Sequence, residues 1–299
     1  MSVSTDKIIQ KPHFSIVVPA YNAAETLEET VDSVLSQSYS FFELIIVDDG
    51  STDGTLELAQ SFVQQCSRVK VESKPNGGTA SAYNFGIESA IAPWIVMLAA
   101  DDLLAPQHLG NIAYELEVAQ GCSIEETKPN AYALVTTNGW YQFPDGSLRL
   151  FEQTNAADTR DACLAEMLST KLFAVGAAFA KESWERVGGF DSRFFAEDWW
   201  FFLRILASGG GWIRVGEPSS YHRISKTQKS SKGLLVREDD LKALDCLVVL
   251  YDLDSHALAV LEAKKQSIER SIRLRRKLYS IFGENLSESV IAARRKFRS

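Results

Sequence analysis

Phe42-Glu-Leu-Ile-Ile-Val-Asp-Asp-Gly-Ser51 is an apolar, β-branched run that stops abruptly at two carboxylates and a glycine. Its near-continuous apolarity predicts a strand covered on both faces, as in a parallel sheet. The same pattern recurs on either side. Phe14-Ser-Ile-Val-Val-Pro19 runs into Tyr21-Asn22, Val69 to Glu72 is followed by Asn76-Gly77-Gly78, and Trp94-Ile-Val-Met-Leu98 precedes Asp101-Asp102. Helical segments separate these runs. One is expected from Asn22-Ala-Ala-Glu25, which has the spacing of an N-cap and its partner, with Leu27, Val31, Val34 and Leu35 on one face. Others cover about Thr55 to Gln65 and Gly77-Gly78 to Ala90. Four strand–helix units predict an α/β fold with a mostly parallel sheet and helices on both faces. Ligands of such sheets sit beyond the carboxyl ends of the strands, so the four polar groups should share one edge.

The rest of the chain fits around that unit. Ala131 to Leu150 reads as strands with a turn at Pro144-Asp145-Gly146, and Glu197 to Ala207 as an aromatic-rich helix. Trp212 to Val215 reads as a further strand, and Ser219 to Gly233 as a polar acceptor loop. From Leu234 the pattern is helical, which places a domain over 12–233 and a helical C-terminal region over 234–299. With 299 residues, 45% hydrophobic and 23% charged, the chain has the composition of a globular protein.

Charge and cysteines narrow the class. A net charge of -8 argues against nucleic-acid binding. Lys264 to Ser299 nevertheless carries eleven Lys or Arg against three Glu, with Ile272, Leu274, Leu278, Ile281 and Phe282 among them. This tail is expected to meet an anionic membrane surface or a partner helix, and the plain alternative is a solvated helix face. Cys66, Cys122, Cys163 and Cys246 lie far apart, which suits reduced thiols in a cytoplasmic protein. The polar stretch Met1 to Lys11 lacks the apolar core of a signal peptide, and no apolar run approaches the roughly 18 to 20 residues that span a bilayer.

Three groups could carry chemistry. Asp48 or Asp49 can accept a hydrogen bond from a pyrimidine N–H or ribose hydroxyls, with Tyr21 beside them to stack on a base; the plain alternative is an Asp-Gly turn. Asp101 and Asp102 repel each other unless a cation or proton intervenes, which suits a metal–diphosphate. As an alternative, Asp102 would cap a helix over Leu103 to Glu117 with Pro106 in its first turn. Glu197-Asp198 opens a helix with Trp199, Trp200, Phe201 and Phe202, where the dipole alone favours acids. Rings beside a carboxylate also make a sugar-shaped surface around a general base.

Val17-Val-Pro-Ala-Tyr-Asn22, Val47-Asp-Asp-Gly-Ser-Thr-Asp-Gly-Thr55, Asn76-Gly-Gly78 with Asn84-Phe-Gly86, Asp101-Asp102, and Gly188-Gly-Phe-Asp191 before Glu197-Asp198-Trp199 occur in one order. Together they resemble family-2 glycosyltransferases of the GT-A fold. The resemblance implies inverting transfer from a nucleotide diphosphate sugar, UDP-sugar favoured, to a hydroxyl of a glycan or lipid-linked acceptor in cell-surface polysaccharide synthesis. It implies a divalent cofactor, Mn2+ or Mg2+. Pro19, Ala20, Tyr21, Glu25, Asp48, Asp49, Asn76, Gly78 and Asp101 are the expected nucleotide contacts. Asp102, Asp101 and His222 are the expected metal ligands, and Asp198 the base with Glu197 beside it. Two positions depart from the pattern. Ala99 stands where the family often has a carboxylate, and Tyr83 where it commonly has an arginine, leaving Lys74, Arg223 or Lys226 to meet phosphate. A dinucleotide-dependent oxidoreductase would need G-x-G-x-x-G after the first strand, where Pro19-Ala-Tyr-Asn22 stands instead. A non-catalytic nucleotide-sugar binder or scaffold is the remaining alternative.

Overall fold

Strands buried on two faces must send alternate side chains to opposite cores, and β1 (Phe14–Ala20) does so. Its Val17 lies in one apolar cluster, and Ile16 and Val18 lie in the other. The computed structural model describes residues 13–120, 132–151, 160–169, 174–224 and 233–282. After β1 come α1 (Leu27–Leu35), β2 (Phe42–Asp48), α2 (Thr55–Gln65), β3 (Val69–Ser73), α3 (Thr79–Ser89) and β4 (Trp94–Met97). Then follow β5 (Leu103–Leu104), α4 (His108–Gln120), β6 (Tyr132–Gln142), β7 (Leu148–Phe151), α5 (Arg160–Ser169), β8 (Ala178–Ala180) and α6 (Lys181–Val187). The chain continues through α7 (Glu197–Ala207), β9 (Gly211–Arg223), α8 (Gly233–Leu250) and α9 (Ser255–Phe282).

One sheet runs in the order β3-β2-β1-β4-β8-β6-β9-β5, with β7 paired to β6. β1 to β4 are parallel, as are β6 and β9, while β8 lies antiparallel between β4 and β6. The carboxyl ends of β1, β2, β3, β4 and β9 therefore share one edge. Residues from α1, α2 and α4 complete one core, and residues from α3, α5, α7, α8 and α9 complete the other.

Local structure departs from the pattern expectations at three places. α1 starts at Leu27, because Asn22 takes a left-handed turn (φ 49°) and its Oδ1 accepts from the Thr52 amide instead of capping a helix. Leu103–Leu104 are not helical; they pair antiparallel with Tyr221 and Ser220, and α4 begins at His108. β9 does not stop at Val215. Thr137 pairs with Val215 and Gly139 with Ser220, so Gly216 to Ser219 bulge out and the strand resumes to Arg223. Gly216-Glu-Pro218 mimics a strand end in sequence because neither Gly nor Pro favours a ladder interior. Ser219 to Arg223, expected in a loop, thus belong to β9, and 225–232, with Lys226, lie outside the described residues.

The C-terminal helices share a core with the sheet. Leu244 and Leu247 of α8 and Leu261, Ile268 and Ile272 of α9 are buried in the same cluster as Phe194, Trp200 and Phe201. This splits the apolar residues expected to face a membrane or partner: Ile272 packs inward, whereas Leu274 and Ile281 are exposed. Arg275 is buried at 4% exposure, so it is not part of a basic surface. The tail past Phe282, and Cys122, lie outside the described residues. Among the described residues no helix is long and apolar enough to cross a membrane.

α3 lies close against the sheet at Gly86, where an added Cβ would come within 2.7 Å of Val17 Cγ1 and Val47 Cγ2. Both valines are branched and fully buried, so neither can swing away. Gly86→Ala should therefore destabilise the chain by about 1–3 kcal/mol through overpacking, measured by urea denaturation. Unchanged stability would mean that α3 can shift outward.

Candidate active site

The half of the edge where β1, β2 and β3 end is organised by two buried carboxylates with different duties. Asp48 closes its own strand end, accepting from Ser51 N (3.2 Å) and Ser73 Oγ (3.0 Å). Asp49 reaches across to the loop after β3. It accepts from Gly77 N (3.0 Å), Gly78 N (2.8 Å) and Lys74 Nζ (2.7 Å). These are the amides ahead of α3, where a helix terminus favours negative charge. Gly50 is required by this closeness: it has φ +73°, and a Cβ there would sit 2.8 Å from Asn76 N. Asp49 is therefore the bolt between two loops, and Lys74 is engaged with it. Tyr21 stands 53% exposed at the rim. Asn22, Glu25, Asn76 and Gly78 are exposed there too, with Pro19 half-buried and Ala20 buried beneath them.

A second group gathers where β4 and β9 end. Asp102 is buried and accepts from His222 Nδ1 (3.0 Å) and the Arg223 amide (3.0 Å). It caps no helix. The Arg223 side chain spans to α1, bonding Asp101 O, Thr30 Oγ1 and Glu29. The β9 bulge makes this meeting possible, and buried His108 holds the bulge. Its Nδ1 bonds Ser219 Oγ and its Nε2 bonds Gly176 O, both at 2.9 Å. Burial holds His108 neutral by lowering its pKa to about 4. Burial and then repulsion from Asp102 raise the Asp101 pKa, with His222 and Arg223 opposing. Burial disfavours charge on His222, yet the bond to Asp102 and the fields of Asp102, Asp101 and Asp198 outweigh it and raise its pKa.

The third group is Glu197 and Asp198 in the first turn of α7, where Asp198 Oδ1 accepts from Trp199 N. Its approach is set by α3. Asn84 treats Phe190 as a strand partner: its Oδ1 accepts from Phe190 N (2.8 Å) and Trp184 Nε1 (3.0 Å), and its Nδ2 donates to Phe190 O (2.9 Å). Gly189 allows this contact, since a Cβ there would lie 2.7 Å from Asn84 Oδ1. Arg204 of α7 grips the same turn through Val187 O and Gly189 O. Tyr83, one residue before Asn84, is buried and stacks on Phe190 with centroids 5.1 Å apart. Burial raises its pKa far above the usual phenol range, and Glu197, Asp102, Asp198 and Asp101 all add to the rise. The four carboxylates, from the segment after β4 and the start of α7, thus all act on one phenol, and Asp198 also acts on His222. The clamp by Asn84 and Arg204 escapes a sequence reading; a polar amide on the buried face of α3 is its one signal.

Residues 15–124 match the family described as glycosyl transferase family 2. Hyaluronan synthase of Pasteurella multocida is 32% identical over 210 residues, spanning 70% of this chain and 20% of that protein. The chain therefore spans about a fifth of the length of that synthase, and the same share of the chondroitin synthase of strain Pm70. S. aureus TarS 1–349 in complex with UDP-GlcNAc is similar with a TM-score of 0.64 at 19% identity, over 91% of this chain and 74% of that one. Mannosyltransferase PcManGT from Pyrobaculum calidifontis in complex with GDP-Man and Mn2+ gives 0.64 at 17% identity, over 97% and 81%. The fold is GT-A, and residues 15–124 are of the glycosyltransferase family 2 type.

The imidazole at Asp102 offers a direct check on this electrostatic arrangement. In the metal-free protein His222 should titrate above its ordinary 6.5, and Asp102→Asn should lower its pKa, as read by NMR of the ring protons. Because the folded-state pKa is raised, the pair's contribution to stability is full below the unfolded pKa and is lost as pH rises through the folded one. A His222 titration unmoved by Asp102→Asn would refute the pairing.

Proposed function

We propose that this chain is an inverting glycosyltransferase that moves a sugar from a nucleotide diphosphate sugar, UDP-sugar favoured, to a hydroxyl of a glycan or lipid-linked acceptor in polysaccharide synthesis. The observation that carries the proposal is that two carboxylate pairs from different elements, Asp101–Asp102 after β4 and Glu197–Asp198 at the start of α7, both act on the buried Tyr83 phenol and so share one electrostatic neighbourhood. One pair suits the leaving diphosphate and the other the acceptor. UDP-GlcNAc in TarS and GDP-Man in PcManGT support a nucleotide-sugar donor.

In this reading Tyr21 stacks on the base and the edge formed by Asp48, Asp49, Asn76 and Gly78 receives the nucleoside. Asp198 accepts the proton of the acceptor hydroxyl. The freed oxygen bonds the anomeric carbon from one side as the bond to the diphosphate oxygen breaks on the other, which inverts the centre. Trp199 and the half-buried start of α7 keep water from the attacking side.

The donor set suits a divalent metal that shares its ligands with phosphate. Burial and Asp102 disfavour the Asp101 carboxylate, a penalty that a cation relieves. Among the described residues no three His, Cys, Asp or Glu side chains form a ready-made cage. Such a site fits Mn2+ or Mg2+ completed by diphosphate oxygens, with Asp102, Asp101 and His222 as the protein side. When bound, the cation would neutralise charge on the leaving diphosphate.

Two measurements test the reading. UDP should bind more tightly with Mn2+ than in chelator by calorimetry, and Asp102→Ala should abolish the difference; equal affinities in the unaltered protein would refute the metal role. Asp198→Asn should lower kcat by about 10² to 10⁴ with nucleotide affinity unchanged. Turnover within a few-fold of the unaltered protein would remove Asp198 as the base, and loss of nucleotide binding would place it on the donor side.

A further inference from the structure

The segment between Gly189 and α7 is fixed from a second direction by the C-terminal helices. The Phe195 amide, three residues before Asp198, donates to Asp239 Oδ2 on α8. That carboxylate is mostly buried, at 13% exposure, with Lys242 Nζ 3.8 Å from its other oxygen. Phe194 packs on Trp200 with centroids 4.8 Å apart, and both share a cluster with Leu244 and Leu247 of α8. Lys264 of α9 places its ammonium 5.9 Å from the centroid of Trp199. The residues on both sides of Asp198 therefore touch the hairpin of α8 and α9.

This placement matters because a helix start needs donors and acceptors from outside the helix to fix it. Ala196 at the N-cap position of α7 contributes no side-chain bond, and in its first turn the Trp199 amide donates to Asp198 Oδ1. Asn84 and Arg204 hold the loop at Val187 to Phe190, seven or more residues before α7. Asp239 holds it two residues before.

We propose that the hairpin of α8 and α9 is a working part of the active site, with Asp239 a positioning residue. By anchoring the Phe195 amide it sets where α7 begins and so where Asp198 stands relative to the donor. This rests on the transferase reading, with Asp198 as base. The role of Asp239 is to accept a hydrogen bond, so a neutral oxygen in its place serves and a methyl group does not.

The test uses the full chain with UDP-GlcNAc, UDP-Glc and GDP-Man as probes and Mn2+ present, following nucleoside diphosphate release to water or to added acceptor sugars. Asp239→Ala should lower kcat by 10- to 100-fold, with UDP affinity by calorimetry within two-fold of the unaltered protein. Asp239→Asn should keep at least a third of the rate, and Lys242→Ala should match the unaltered protein. Amide exchange over residues 191–198 should accelerate in Asp239→Ala alone. An Asp239→Ala rate within two-fold of the unaltered protein would overturn the role of Asp239, as would UDP affinity falling in step with the rate. Equal loss in Asp239→Asn and Asp239→Ala would overturn the hydrogen bond as its basis. An unaltered protein that binds UDP but turns over none of the three donors would count against the transferase reading itself, and normal exchange in Asp239→Ala would then independently refute the anchor.

Discussion

Like charge crowded onto one edge of a sheet is the constraint around which the rest is arranged. Asp48, Asp49, Asp101, Asp102, Glu197 and Asp198 converge there, and burial makes their repulsion costly. Each neighbouring element answers with positive charge or amide donors. The loop before α3 turns two N–H groups and Lys74 toward Asp49. The bulge in β9 delivers His222 and the Arg223 amide to Asp102. Glu197 and Asp198 occupy the first turn of α7, where the helix dipole favours acids. At Asp101 burial and the neighbouring Asp102 charge outweigh His222 and Arg223, and its pKa is raised.

The helix α3 gives this edge its rigidity. Its start faces Asp49, its middle is pressed to β1 and β2 through Gly86, and its Asn84 fastens Phe190. The groups at the end of β2 and at the approach to α7 are thus referred to one short helix. Tyr83, which resembles a lost phosphate contact in sequence, is instead a buried plate between α3 and the Phe190 turn.

The parallel half of the fold and its polar edge were legible because buried strands announce themselves by composition and stop at Asp, Asn or Gly. Asp101-Asp102, Asp198 and His222 were legible as candidates, and the structure brings them into one electrostatic neighbourhood. What could not be read depends on partners distant in sequence. Leu103-Leu104 become a strand only because β9 lies beside them. Gly216-Glu-Pro218 hides a bulge inside a strand, and Asn22 looks like a helix cap until Thr52 claims its side chain. The C-terminal helices read as an appendage since their periodicity shows an apolar face without showing what covers it; the cover is α5 and α7.

The nine-stranded sheet also has ends, and these are short. β5 contributes two residues, β7 four and β3 five. Along β3 the charged Lys70 and Glu72 break the apolar run, and Lys70 is tied to Glu43 of β2. Long, flat, apolar edges invite another chain to add a strand, and this molecule presents none of that kind among the described residues. Where copies of the chain crowd together, a sheet so blunted gives them little backbone by which to stick.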